Sequence, residues 1–132
     1  MPTKDLTPHL NSDQQNAVEH TTGPLLIVAG AGTGKTTVIT ERVKWLIGTG
    51  LAKSDEILAL TFTEKAATEI KERLVKAFAD LPQIRENIER AYVSTIHAFC
   101  ARLLREHALD AAIDPKFVVL DRARPLLRQV ID

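Results

Sequence analysis

The chain has 132 residues, enough for one domain with a moderate core, and 45% of them are apolar, the usual share for a globular protein. Its 17 Lys and Arg balance 17 Asp and Glu, which excludes a bulk basic field that coats nucleic acid but not a groove holding a few nucleotides. A lone Cys100 excludes an internal disulfide and a Cys-based metal site and fits a reducing compartment, and no apolar stretch nears the ~18 residues of a membrane span.

Residues 1–10 are expected to form a flexible N-terminus. They lack the apolar segment of a signal peptide, so the expected location is cytoplasmic. Ser12-x-x-Gln15 reads as a capping box opening a short helix to about His20, and Thr22-Gly23-Pro24 breaks it. The run Leu25-Leu26-Ile27-Val28 predicts a buried strand through Ala29. Helical periodicity then runs over 34–47 through Val38, Ile39, Val43, Leu46 and Ile47, with Gly48 and Gly50 as stop signals. A second strand is predicted over 57–61 and a long helix over about 64–79, with Ile70, Leu74 and Phe78 inward. The polar residues around Pro82 read as a connector or a short helix. A third strand over 91–94 leads through Thr95 into a helix over about 96–109. Its stripe is Ile96, Phe99, Cys100, Leu103 and Leu104, where Cys100 reads as core packing. A short strand over 117–120 and a last helix after Asp121, with Pro125 in its first turn, complete the pattern. Strand followed by helix, three times over, predicts an α/β fold with parallel strands and right-handed crossovers.

The stretch Ala29-Gly30-Ala31-Gly32-Thr33-Gly34-Lys35-Thr36 lies between the first predicted strand and its helix. The pattern A-x-x-x-x-G-K-T is that of a P-loop, with Ala29 where Gly is commoner. Small residues let the backbone curl so that several N–H groups converge on a dense anion, and the following helix adds its positive end. Lys35 is expected on the β- and γ-phosphates of ATP, and the Thr36 hydroxyl at a Mg²⁺ position. A glycine-rich turn with a chance Lys-Thr is the plain alternative, and it leaves the coincidence of strand, loop and helix unexplained. In an open parallel sheet ligands sit beyond the carboxyl ends of the strands. The loop, Thr61-Phe62-Thr63 and Ser94-Thr95-Ile96-His97 are therefore expected along one rim.

These residues resemble a known family. Leu10-Asn11-x-x-Gln14-x-x-Ala17-Val18 is similar to the Q-motif of superfamily 1A DNA helicases, and the P-loop to their motif I. The stretch from Ile57 to Ala67 is similar to motif Ia, that from Tyr92 to Cys100 to motif Ib, and Asp114-Pro115-x-Phe117-x-x-Leu120-Asp121 continues the likeness. The resemblance is to UvrD, Rep and PcrA and the related RecB and AddA helicase-nucleases. The wording of residues 94–100 leans towards the RecB or AddA branch.

The resemblance implies a P-loop NTPase (RecA-like) parallel sheet flanked by helices, as an incomplete first motor domain over 11–120, with an accessory subdomain starting over 121–132. It implies an ATP-driven motor moving 3′→5′ on single-stranded DNA and opening duplex junctions in repair or recombination, with nuclease or repair proteins as partners and no membrane. Gln14 would read the adenine edge. Ala29, Gly30, Ala31, Gly32, Thr33, Gly34, Lys35, Thr36 and Thr37 would hold the nucleotide, with Lys35 and Thr36 catalytic. Phe62, Thr63, Thr95 and His97 would lie along DNA. Each has a plainer reading. Gln14 reads equally as a surface residue of a capped helix, and Phe62 as a core residue at a strand end. Thr63 and Thr95 read as helix caps, and His97 as a satisfied, half-buried histidine. Lys65, Lys71, Arg73 and Lys76, interleaved with Glu64, Glu69 and Glu72, read as a solvated helix face.

Hydrolysis also needs an acidic residue for Mg²⁺, a group orienting water and often an arginine finger. No apolar run in this chain ends in Asp-Glu. Asp121 superficially fits such a run but is followed by Arg122. The chain is therefore expected to bind ATP without turning it over alone, and to carry an open sheet edge and marginal stability. A stand-alone nucleotide-binding module is the alternative. A small nucleotide kinase would need more arginines than Arg122 and Arg124 supply.

Overall fold

The computed structural model describes residues 9–120, which fall into two compact units divided between Thr95 and Ile96. The first holds helices α1 (Ser12–Glu19), α2 (Lys35–Gly48), α3 (Glu64–Ala77) and α4 (Pro82–Arg90), a 3₁₀ turn at Ser54–Glu56, and strands β1 (Leu58–Thr61) and β2 (Tyr92–Thr95). The second holds α5 (Ile96–Glu106) and the described residues after it.

Helix α3 is the centre of the first unit. Thr63 caps it, its hydroxyl accepting from the Ala66 N–H at 3.1 Å, with Glu64 in the first turn and Lys76 in the last, as the helix dipole favours. Ala67, Ile70 and Leu74 recur at helical spacing and are buried. Ile70 and Leu74 pack with Val43 of α2, Ala59 of β1, Ile88 of α4, Ala91 and Val93. Ile47, Ile57, Val75, Phe78 and Ile84 close the cluster from the side. The stretch around Pro82 is a helix, with proline at its first position, where the missing N–H costs nothing.

β1 and β2 run parallel in the register Leu58↔Tyr92, Ala59↔Val93, Leu60↔Ser94 and Thr61↔Thr95, with α3 and α4 between them in the chain. Because side chains alternate, Ala59 and Val93 enter the core while Leu58 and Leu60 are exposed. A parallel sheet is normally covered on both faces; in this two-stranded one a single face of β1 is buried.

Two expected strands are corrected. Residues 25–29 and 117–120 form no strand, and the sheet of the described residues has two strands. Leu26 and Val28 are 86% and 91% exposed. An apolar run becomes a strand only where a neighbour takes its backbone hydrogen bonds, and neither run has such a neighbour among the described residues. The stripe of α5 is corrected too. No residue of that helix is buried, and Cys100 is exposed rather than in a core. The capping box is one residue earlier than expected. Asn11 is the cap and Gln14 its partner, because the asparagine serves as well as serine. The helix and the Mg²⁺-binding acid considered at and after Asp121 lie outside the described residues, as does the accessory subdomain.

A second, smaller cluster joins Ala17 and Val18 of α1 to Val38 of α2, with Leu10 and Trp45 against it. Half-buried Arg42 completes the joint. Its Nη1 donates to the Ala17 and Val18 carbonyls at 2.8 and 3.1 Å, satisfying acceptors that a helix C-terminus leaves open. Arg42→Ala is expected to lower unfolding free energy by about 1–2 kcal/mol, the worth of charge-assisted bonds at a partly wet site. Urea unfolding measures it. An unchanged midpoint would show that the apolar cluster alone holds α1.

Candidate nucleotide and nucleic-acid site

Two glycines give the loop before α2 its shape. Gly32 and Gly34 have φ of +73° and +81°, the left-handed region where a side chain is strained. The loop is held across itself. The Thr33 hydroxyl donates to the Gly30 carbonyl at 2.6 Å, and Lys35 Nζ donates to the Ala29 carbonyl at 3.2 Å. Gly34 is the cap residue of α2, and it makes no side-chain cap bond. The first-turn N–H groups of α2 therefore meet no capping oxygen from Gly34, and Lys35 stands beside them. That donor set fits a phosphate chain. Thr36 follows, half-buried in the first turn. Among the described residues no three His, Cys, Asp or Glu side chains cluster as metal ligands.

Gln14 reaches this loop from α1, its Nε2 donating to the Thr33 carbonyl at 3.1 Å. Thr37, the last of the expected nucleotide residues, accepts at its hydroxyl from Arg73 Nη1 at 3.2 Å, and Arg73 also pairs with Glu69. Arg73 is exposed and paired with Glu69 four residues before it, as a solvated helix face predicts, and it also ties the first turn of α2 to α3. Asn11 and Arg42 were missed. Their partners are backbone groups, which no side-chain pattern reveals; only the Asn11-x-x-Gln14 spacing offered a signal.

The second group gathers at the carboxyl ends of the two strands, side by side through the Thr61↔Thr95 pairing. Phe62 is 94% exposed, so its plainer reading as a core residue is corrected: it follows the last residue of β1, and none of the described residues buries its ring. Thr63 caps α3, while the Thr61 hydroxyl donates to the Thr63 carbonyl at 2.9 Å and so braces the turn. Thr95 is only 6% exposed and donates to Glu64 Oε1 at 3.2 Å. The end of β2 is thus tied to the first turn of α3 by a hydroxyl–carboxylate bond. His97 is exposed in the first turn of α5, in the second unit. The structure brings Gln14 and Thr33–Lys35 together, and Phe62, Thr63 and Thr95 together. Among the described residues no helix is long and apolar enough to cross a membrane.

The sequence pattern of the UvrD/REP helicase N-terminal domain matches residues 10–131. The chain is 42% identical over 113 residues to the ATP-dependent DNA helicase PcrA of Staphylococcus aureus, covering 86% of this chain and 15% of that protein. It is 40% identical over 116 residues to the PcrA of Staphylococcus epidermidis, covering 88% of this chain and again 15% of the relative. The chain thus spans about 15% of the length of these relatives.

Proposed function

This chain belongs to the UvrD/REP helicase N-terminal domain family, and from that premise we propose that it is the ATP-binding and DNA-contacting front of a 3′→5′ DNA helicase. The observation that carries the reading is the start of α2: a left-handed glycine without a cap side chain, followed by Lys35 and Thr36. Backbone N–H groups of the loop and Lys35 would hold the β- and γ-phosphates, Gln14 would read the adenine edge, and Thr37, steadied by Arg73, would complete the set. The Thr36 hydroxyl would hold Mg²⁺, which would supply neutralisation of the triphosphate charge. These residues bind and orient. The acid, the water-orienting group and the arginines that turnover requires come from beyond them, within a complete RecA-like motor. The exposed apolar run at 25–28 is then the seat of strands from that remainder.

At the strand ends Phe62 stacks on whichever base arrives, as a sequence-tolerant motor needs. Thr63 and His97 offer short donors to phosphate. Thr95, buried at the end of β2, acts through Glu64. The substrates are single-stranded DNA and duplex junctions, the setting is repair or recombination in the cytoplasm, and nuclease or repair proteins are the expected company.

Calorimetry and phosphate release on this chain test the reading. Mg-ATP is expected to bind without turnover, with or without single-stranded DNA. Hydrolysis that rises with DNA would mean that a complete catalytic site is present here. For the DNA face, Phe62→Ala is expected to weaken oligothymidine binding roughly tenfold, the worth of one base–aromatic stack. Its thermal midpoint should stay where it was, because the ring is 94% exposed. A midpoint that falls while affinity holds would make Phe62 a packing residue.

A further inference from the structure

Both ends of the Gln14 carboxamide are engaged. Oε1 accepts from the Asn11 N–H at 3.0 Å, and Nε2 donates to the Thr33 carbonyl at 3.1 Å. This leaves the amide one orientation, since a backbone N–H needs its oxygen and a backbone carbonyl needs its nitrogen. Asn11 Oδ1 accepts in return from the Gln14 N–H at 2.9 Å. The reciprocal box fixes the root of the side chain, and Arg42 fastens the other end of α1 to α2. Gln14 is therefore a braced arm reaching a loop 19 residues further along the chain.

What it holds there is one face of a peptide plane. The Thr33–Gly34 peptide is trans, so its carbonyl and its N–H point in opposite directions. Holding the carbonyl towards Gln14 turns the Gly34 N–H to the far side. Nothing in Gly34 itself sets that choice, because a residue without Cβ lets the plane rotate. The approach is close: a Cβ built on Gly34 would lie 3.4 Å from Gln14 Nε2.

We propose that Gln14 is a positioning residue for the phosphate loop, holding the Thr33 carbonyl so that the Gly34 N–H is aimed at a bound polyphosphate whether or not a base is attached. The proposal rests on the nucleotide reading above and adds a second duty to a residue expected to read adenine. A pure adenine reader affects ATP alone. A loop-positioning residue also affects a ligand that has no base.

The probe is Mg-tripolyphosphate, titrated calorimetrically into the chain, Gln14→Ala and Gln14→Glu. Gln14→Glu keeps an acceptor for the Asn11 N–H, so α1 stays capped while the donor to Thr33 is lost. Both variants are expected to bind tripolyphosphate roughly fivefold more weakly, as one neutral hydrogen bond is worth. The Gly34 amide should exchange with solvent faster in both. Unchanged tripolyphosphate affinity with weakened ATP binding would overturn the proposal and leave Gln14 an adenine reader. Should the unsubstituted chain bind neither ligand, the nucleotide reading fails by itself. The Gly34 exchange rate then still decides, and an equal rate in Gln14→Ala overturns the positioning role.

Discussion

Lys35→Ala is expected to weaken Mg-ATP binding by about a hundredfold. An ammonium shared between two phosphate groups makes a charge-assisted contact worth roughly 1.5–3 kcal/mol in all, and a hundredfold loss corresponds to about 2.7 kcal/mol. The fold should not notice. Lys35 is exposed, and the bond it gives up is one 3.2 Å contact to the Ala29 carbonyl. Calorimetry of both forms, beside their thermal melts, separates the two effects. Equal affinity in the variant would mean that the loop N–H groups and the helix end do all the holding. A collapsed melt would make the Lys35–Ala29 bond a structural clasp. Lys35→Arg is expected to rescue little, because a planar fork does not replace a compact charge at the mouth of a tight turn.

The same loop shows how far the sequence could be read. Its small residues and its Gly34-Lys35 start were legible because backbone sterics and motif chemistry are local. Helix α3 was legible for the same reason: Thr63 caps it and Ala67, Ile70 and Leu74 repeat at helical spacing. Residues 25–28 were misread because strand formation is not local. The run has strand composition, but its hydrogen bonds need a neighbour, and composition says nothing of where one is. Cys100 was misread likewise, since a stripe at helical spacing says which face is apolar and not what covers it. At the candidate site, Gln14 meets the loop at Thr33, but the ties that hold these residues were not foreseen. Gln14 to Thr33, Arg73 to Thr37 and Thr95 to Glu64 join residues 19, 36 and 31 apart. No pattern within one helix or strand encodes such pairs.

Two of those ties, Arg73 to Thr37 and Thr95 to Glu64, hang on α3, which makes Ile70→Ala the most damaging core change expected. Ile70 is 1% exposed and packs among α2, α4 and both strands. Truncating a buried isoleucine removes its transfer energy and leaves a cavity, for a cost of about 3–4 kcal/mol. Small domains have only about 5–15 kcal/mol in all. This one is expected to start low, with a two-stranded sheet whose Leu58 and Leu60 are exposed and an apolar run at 25–28 outside that sheet. Urea unfolding followed by far-ultraviolet circular dichroism should therefore show a midpoint shifted most of the way to zero denaturant, and at 37 °C a substantially unfolded chain. Leu26→Ala is the control, since a side chain 86% exposed should shift the midpoint by less than about 0.5 kcal/mol. If Ile70→Ala cost under about 1 kcal/mol, the core would have to be loose enough to close over the gap. Then α3 could not hold Thr63, Arg73 and Glu64 in fixed places, and the ties at both halves of the site would lose their common support.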